Sequence, residues 1–64
     1  MLLNVRDVMT LLGIPESSAY KLISQLNSEL KDQGYITLRA KINKNYLLER
    51  LGLMQWAEHN NTEN

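Results

Sequence analysis

The sequence predicts a mainly α fold with a small β-hairpin. Three observations carry that prediction. Val5, Val8, Met9 and Leu12 recur at the spacing of one helix face. Ala19, Leu22, Ile23, Leu26 and Leu30 do the same in a second, longer run, with Gly13-Ile14-Pro15 between the two. Tyr35-Ile36-Thr37-Leu38 is β-prone, with Ile36 and Leu38 on one face.

The first helix is expected from residue 4 to residue 12. Asn4 is an N-cap whose side chain can accept from a first-turn amide, and Asp7 stands at the capping-box position. Leu3 and Val8 occupy the positions of a hydrophobic staple. Gly13 follows as a residue free to adopt positive φ. Pro15 disfavours helix at Ile14, so the first helix cannot run into the second. The second starts near Glu16, whose carboxylate complements the helix dipole, and ends near Asp32 or Gln33 before Gly34. Tyr35 to Leu38 should then pair with Lys41-Ile42 across an Arg39-Ala40 turn. Asn43 should cap a third helix from Lys44 to Leu51, with Leu47, Leu48 and Leu51 inward and Gly52 as its stop. Leu53-Met54-Gln55-Trp56-Ala57 is apolar enough to return to the core or dock on a partner. Residues 1–57 are thus expected to form one domain, and residues 58–64, polar throughout, a disordered tail.

Composition narrows the function. The 64 residues make one small domain, which buries only about 60% of the surface of its unfolded chain. An apolar content of 44% suffices for a core and is too high for a disordered chain. No apolar run is long enough to span a membrane, and Met1-Leu2-Leu3 runs straight into polar residues, so no signal peptide is expected. With no cysteine and His59 as the one histidine, neither a disulfide scaffold nor a metal site is expected, and no cofactor is implied. The absence of cysteine, a lone histidine in the expected tail and the lack of a carboxylate pair placed for a convergent cleft speak against an enzyme. The cytoplasm is the expected location.

The second helix carries the functional signal. Opposite its apolar stripe lie Ser17, Lys21, Ser24 and Ser28, flanked by Ser18, Tyr20 and Gln25. That face is short-chained and hydrogen-bonding, with a cation in its middle, and suits a helix lying against duplex DNA. Lys21 can donate to guanine or phosphate, Gln25 can pair with adenine, and serines can donate or accept. The same residues also suit a solvated face, Ser17 and Ser18 can satisfy first-turn amides, and Tyr20 can be partly buried. Net charge is zero, from seven basic and seven acidic residues, which runs against the phosphate attraction that dominates DNA affinity. The distribution offsets this, because Arg39, Lys41 and Lys44 fall within six residues that contain no acid. They are candidates for backbone or minor-groove contact or, equally, for ordinary solubility. Lys44 would sit beside a helix N-terminus, whose free amides attract phosphate. Arg6 is expected to pair with Asp7 or Glu16.

Leu12-Gly13-Ile14-Pro15-Glu16-Ser17-Ser18-Ala19-Tyr20-Lys21-Leu22-Ile23 resembles the helix-turn-helix of the small excisionases, which group with the MerR-like winged-helix proteins. The resemblance covers residues 4 to 52. It implies a winged helix-turn-helix fold, with a recognition helix in the major groove and a wing, residues 35 to 42, on the adjacent backbone or minor groove. The recognition-helix residues it implies are Ser17, Ser18, Tyr20, Lys21, Ser24 and Gln25; those of the wing are Arg39, Lys41 and Lys44. It further implies several copies side by side on double-stranded DNA, bending it and steering a site-specific recombinase toward excision of a mobile element. The chain departs from the pattern at Met9, where such units often carry alanine, with Ala19 as the small partner across the helix pair, and in a wing without glycine.

Two other functions stay open to this sequence. One is a small transcriptional repressor. The other is a winged-helix module that binds protein, for which zero net charge and the Leu53-Met54-Gln55-Trp56 stretch speak.

Overall fold

A computed structural model describes residues 1–52. In chain order it contains β1 (Leu2–Asn4), α1 (Val5–Leu12), α2 (Glu16–Asp32), β2 (Lys41–Asn43) and a third helix, α3, over 44–52. The fold is mainly helical with a two-stranded antiparallel sheet.

The α1 capping box forms as its residues dictate. Asn4 Oδ1 accepts from the Asp7 amide at 2.8 Å, and the Asp7 carboxylate accepts from the Asn4 amide at 3.1 Å. Gly13 ends α1 in the left-handed region, φ 65°, and its N–H donates to the Met9 carbonyl at 2.8 Å. Pro15 then sits extended, and α2 begins at Glu16. At its far end the Gly34 N–H donates to Lys31 and the Tyr35 N–H to Leu30, with Gly34 at φ 93°. These two bonds are a Schellman closure, which supplies partners to carbonyls that the helix end would leave bare.

One core joins all of these elements. Leu3, Val5, Val8, Ala19, Ile23, Leu26, Ile42 and Leu47 are buried together. Met9, Leu12, Ile14, Leu22 and Leu30 pack at its margin. The small partner is in place, with Ala19 fully buried on α2 and Met9 half-buried on α1.

The sheet differs from the expected hairpin. Residues 35–38 form no strand. β2 pairs instead with β1, in the register Leu2 with Asn43, Leu3 with Ile42 and Asn4 with Lys41. The Lys44 N–H extends the ladder by donating to the Met1 carbonyl at 2.9 Å. Leu3 and Ile42 are both in the core, whereas Ile36 is 97% exposed. Ile42 therefore takes the partner that brings a second buried side chain with it. The Arg39-Ala40 turn does form, with Lys41 N–H donating to the Leu38 carbonyl at 3.2 Å.

The third helix needs one further correction. Asn43 caps it, accepting from the Tyr46 amide at 3.0 Å. Leu47 and Leu51 point inward, but Leu48 is 44% exposed and Tyr46 takes the inner flank. Gly52, expected as the stop, is the last described residue and is helical, so its role as a terminator lies outside the described residues. The expectations for residues 53–57 and for a disordered tail at 58–64 lie outside the described residues. Among the described residues no helix is long and apolar enough to cross a membrane.

A clamp fixes α3 to α2. Glu29 on α2 accepts from the Tyr46 hydroxyl at 2.8 Å and from Arg50 Nε and Nη2 at 2.8 and 2.9 Å. The bidentate guanidinium contact is the strong form of such a pair. These donors hold the Glu29 carboxyl down at about 2, against an ordinary 4.5, with the Arg50 hydrogen bond the largest cause and that of Tyr46 the next. The Tyr46 phenol is raised for the converse reason, because its proton is held by Glu29.

Two predictions follow from this packing. Leu47→Ala should cost about 3 kcal/mol in urea unfolding, and Leu48→Ala less than about 1 kcal/mol. Equal costs would contradict the placement of α3. A carboxyl with a depressed folded pKa stabilises the native state above its unfolded value and loses that contribution as pH falls through the folded one. Between pH 4.5 and about 2 the wild type should therefore lose more thermal stability than Glu29→Gln does. Parallel melting curves across that window would show that the clamp contributes nothing.

Candidate nucleic-acid interface

The six residues singled out on the second helix, Ser17, Ser18, Tyr20, Lys21, Ser24 and Gln25, are all exposed on α2. Five of them converge on one groove. Ser17, Ser18, Tyr20, Lys21 and Ser24 face Thr37, Arg39 and Ala40 of the loop that follows α2, and Ile23 and Asn27 complete the lining. Gln25 does not line this groove. Pro15 offers no side chain to cap α2, so the first-turn amides have no side-chain acceptor from the N-cap.

The electrostatics of the groove are one-sided. Among the described residues, Lys21 and Arg39 are its charged lining residues, one from the helix and one from the loop, and no carboxylate lines it. Hydroxyls from Ser17, Ser18, Ser24, Tyr20 and Thr37 surround the two cations. A concave, cationic, hydroxyl-lined surface on a helix matches the phosphate and base-edge donors and acceptors of a duplex.

The three basic residues of the expected wing separate. Arg39 lies in the groove. Lys41 lines a second, different groove, with Leu2, Leu30, Tyr35, Ile36 and Leu38 among its walls. Lys44 is half-buried, and its backbone amide is already occupied by Met1. With Asn43 taking the Tyr46 amide as well, the α3 N-terminus offers phosphate fewer free donors than its sequence position suggests. Arg6 is exposed, and Asp7 is committed to the cap of α1. Arg50 with Glu29 is the ion pair found among the described residues, so the expected Arg6 pairing with Asp7 or Glu16 is not formed.

Asn27 and Thr37 are the residues that sequence reasoning missed. Asn27 Nδ2 donates to the Leu38 carbonyl at 3.1 Å and to the Lys41 carbonyl at 2.8 Å. It thereby ties the turn that carries Arg39 to the body of α2. Ala40 in that turn has φ 59°, a left-handed conformation that costs an alanine about 1 kcal/mol. A signal for this was present, since Asn27 stands two helical turns beyond Tyr20, on the same flank of the helix.

Among the described residues no group of His, Cys, Asp and Glu is placed to hold a metal ion. No family model matches the chain, and no solved structure does. The chain is similar to the ICEBs1 excisionase of Bacillus subtilis (strain 168), with 31% identity over 42 residues. The match takes in 66% of this chain and 66% of that relative, so the chain spans just under two thirds of the relative's length.

Proposed function

We propose that this chain is a sequence-specific, non-enzymatic DNA-binding protein of a mobile element, an excisionase with a winged helix-turn-helix fold. The observation that carries it is the groove in which Lys21 and Arg39 meet among hydroxyls, with no carboxylate between them among the described residues. The similarity to an excisionase supports the same assignment. In this account α1, the Gly13–Pro15 turn and α2 form the helix-turn-helix, and α2 enters the major groove. Ser17, Ser18, Tyr20, Lys21, Ser24 and Gln25 reach base edges and nearby phosphates. The loop 35–40 takes the place of a hairpin wing and sets Arg39 on the adjacent backbone, while Lys41 and Lys44 add long-range attraction from the side.

A neutral chain with roughly four to six phosphate contacts binds weakly as a single copy at physiological salt. Useful occupancy then comes from neighbouring copies that touch, and a DNA bend that steers a recombinase follows from such an array. An apolar strip favours a protein contact beside the DNA contact. Tyr35, Ile36 and Leu38 are exposed next to Leu2, and an exposed apolar cluster of this kind marks an interaction surface.

The test is a titration against random duplex and against DNA flanking the gene, each at two salt concentrations. We expect a ladder of shifted species on the flanking DNA, weakened by salt. Lys21→Ala should weaken it further, by roughly tenfold. A single shifted species over a promoter would support a repressor instead. No binding at low salt would overturn the DNA assignment.

A further inference from the structure

We infer that Asn27 is the positioning residue of the interface, the latch that makes the α2 face and the Arg39 turn one surface. This rests on the DNA-binding function proposed above. A side-chain amide has two N–H donors, and Asn27 spends its Nδ2 group on the carbonyls of Leu38 and Lys41, the two residues that bracket Arg39-Ala40. The Lys41 N–H closes the same turn onto the Leu38 carbonyl. The turn is thus tied at both of its ends to a single atom of the helix. Among the described residues, beyond the Tyr35 N–H bond that closes α2 no strand pairing holds this loop from its N-terminal side, because residues 35–38 join no strand and Ile36 is 97% exposed. Remove the amide, and Arg39 keeps its charge but loses its fixed place across the groove from Lys21 and Ser24.

The consequence is specific. Asn27 need not touch DNA, yet its loss should act through Arg39. The experiment measures affinity and salt slope on a duplex selected from a randomised pool by the full chain. It compares wild type with Arg39→Ala, Asn27→Ala and the double variant. Thermal unfolding is followed in parallel, and all titrations are run below the lowest melting midpoint. Arg39→Ala should bind about tenfold more weakly, with a salt slope shallower by about 0.9. Asn27→Ala should reproduce both changes, and the double variant should be no weaker than Arg39→Ala alone. Asn27→Gln retains an amide and a stronger helix propensity but sets its amide one methylene too far out, so it should lose the slope while staying folded. It serves the same comparison if Asn27→Ala does not fold. A wild-type slope in the Asn27 variants, or losses that add in full to that of Arg39→Ala, would overturn the latch alone. A wild type that selects no duplex would overturn the DNA assignment, and the latch with it.

Discussion

The Ala19–Ile23–Leu26 stripe of α2 is the surface against which the two halves of this chain are packed. Val5 and Val8 of α1 bury on it from before, and Ile42 and Leu47 from after, with Leu3 closing the same cluster from β1. Among the described residues there is no second core to share the burden. One helix face must therefore serve every element, and each element must arrive at it from a fixed direction. Gly13 and Pro15 set that direction for α1, and the β1–β2 ladder sets it for the residues leading into α3.

With the stripe occupied, the remaining circumference of α2 is divided by polarity. One flank carries Glu29, which draws Tyr46 and Arg50 of α3 onto the helix. The other carries Asn27, which draws in the turn at Leu38–Lys41. Both attachments lie in the second half of the helix. The first half is left open, and there Ser17, Ser18, Tyr20, Lys21 and Ser24 line a groove with Arg39 opposite. The buried stripe thus runs through both halves of the helix, while its polar circumference is occupied by attachments in the second half and left exposed in the first.

How much of this was legible follows from how local each signal is. The capping box of Asn4 and Asp7, the stop at Gly13, the Pro15 boundary and the α2 stripe all read correctly, because each is decided within a few neighbouring residues. The strand pairing did not. Ile36 and Leu38 alternate like strand residues, but the partner of Ile42 was decided by Leu3, some forty positions away in sequence, at a site valued only as a helix staple. The site divided in the same way. Exposure of the α2 face follows from helix periodicity, whereas the grouping of Arg39 with Lys21, and the separation of Lys41 and Lys44 from both, depend on where an irregular loop comes to rest. The flank of Asn27 was legible from its spacing to Tyr20, but its partners were not, because they are backbone carbonyls of a loop distant in sequence.

The central claim is that DNA is gripped by the first half of α2 together with the Arg39 turn. It is tested most directly by mapping backbone amide shifts of the isotopically labelled chain as a duplex is added. The account predicts that the perturbed amides cluster at residues 16–25 and 37–40, with those of residues 45–49 on α3 unmoved. Shifts centred on Leu2, Tyr35 and Ile36 instead, or none at any salt concentration, would contradict it.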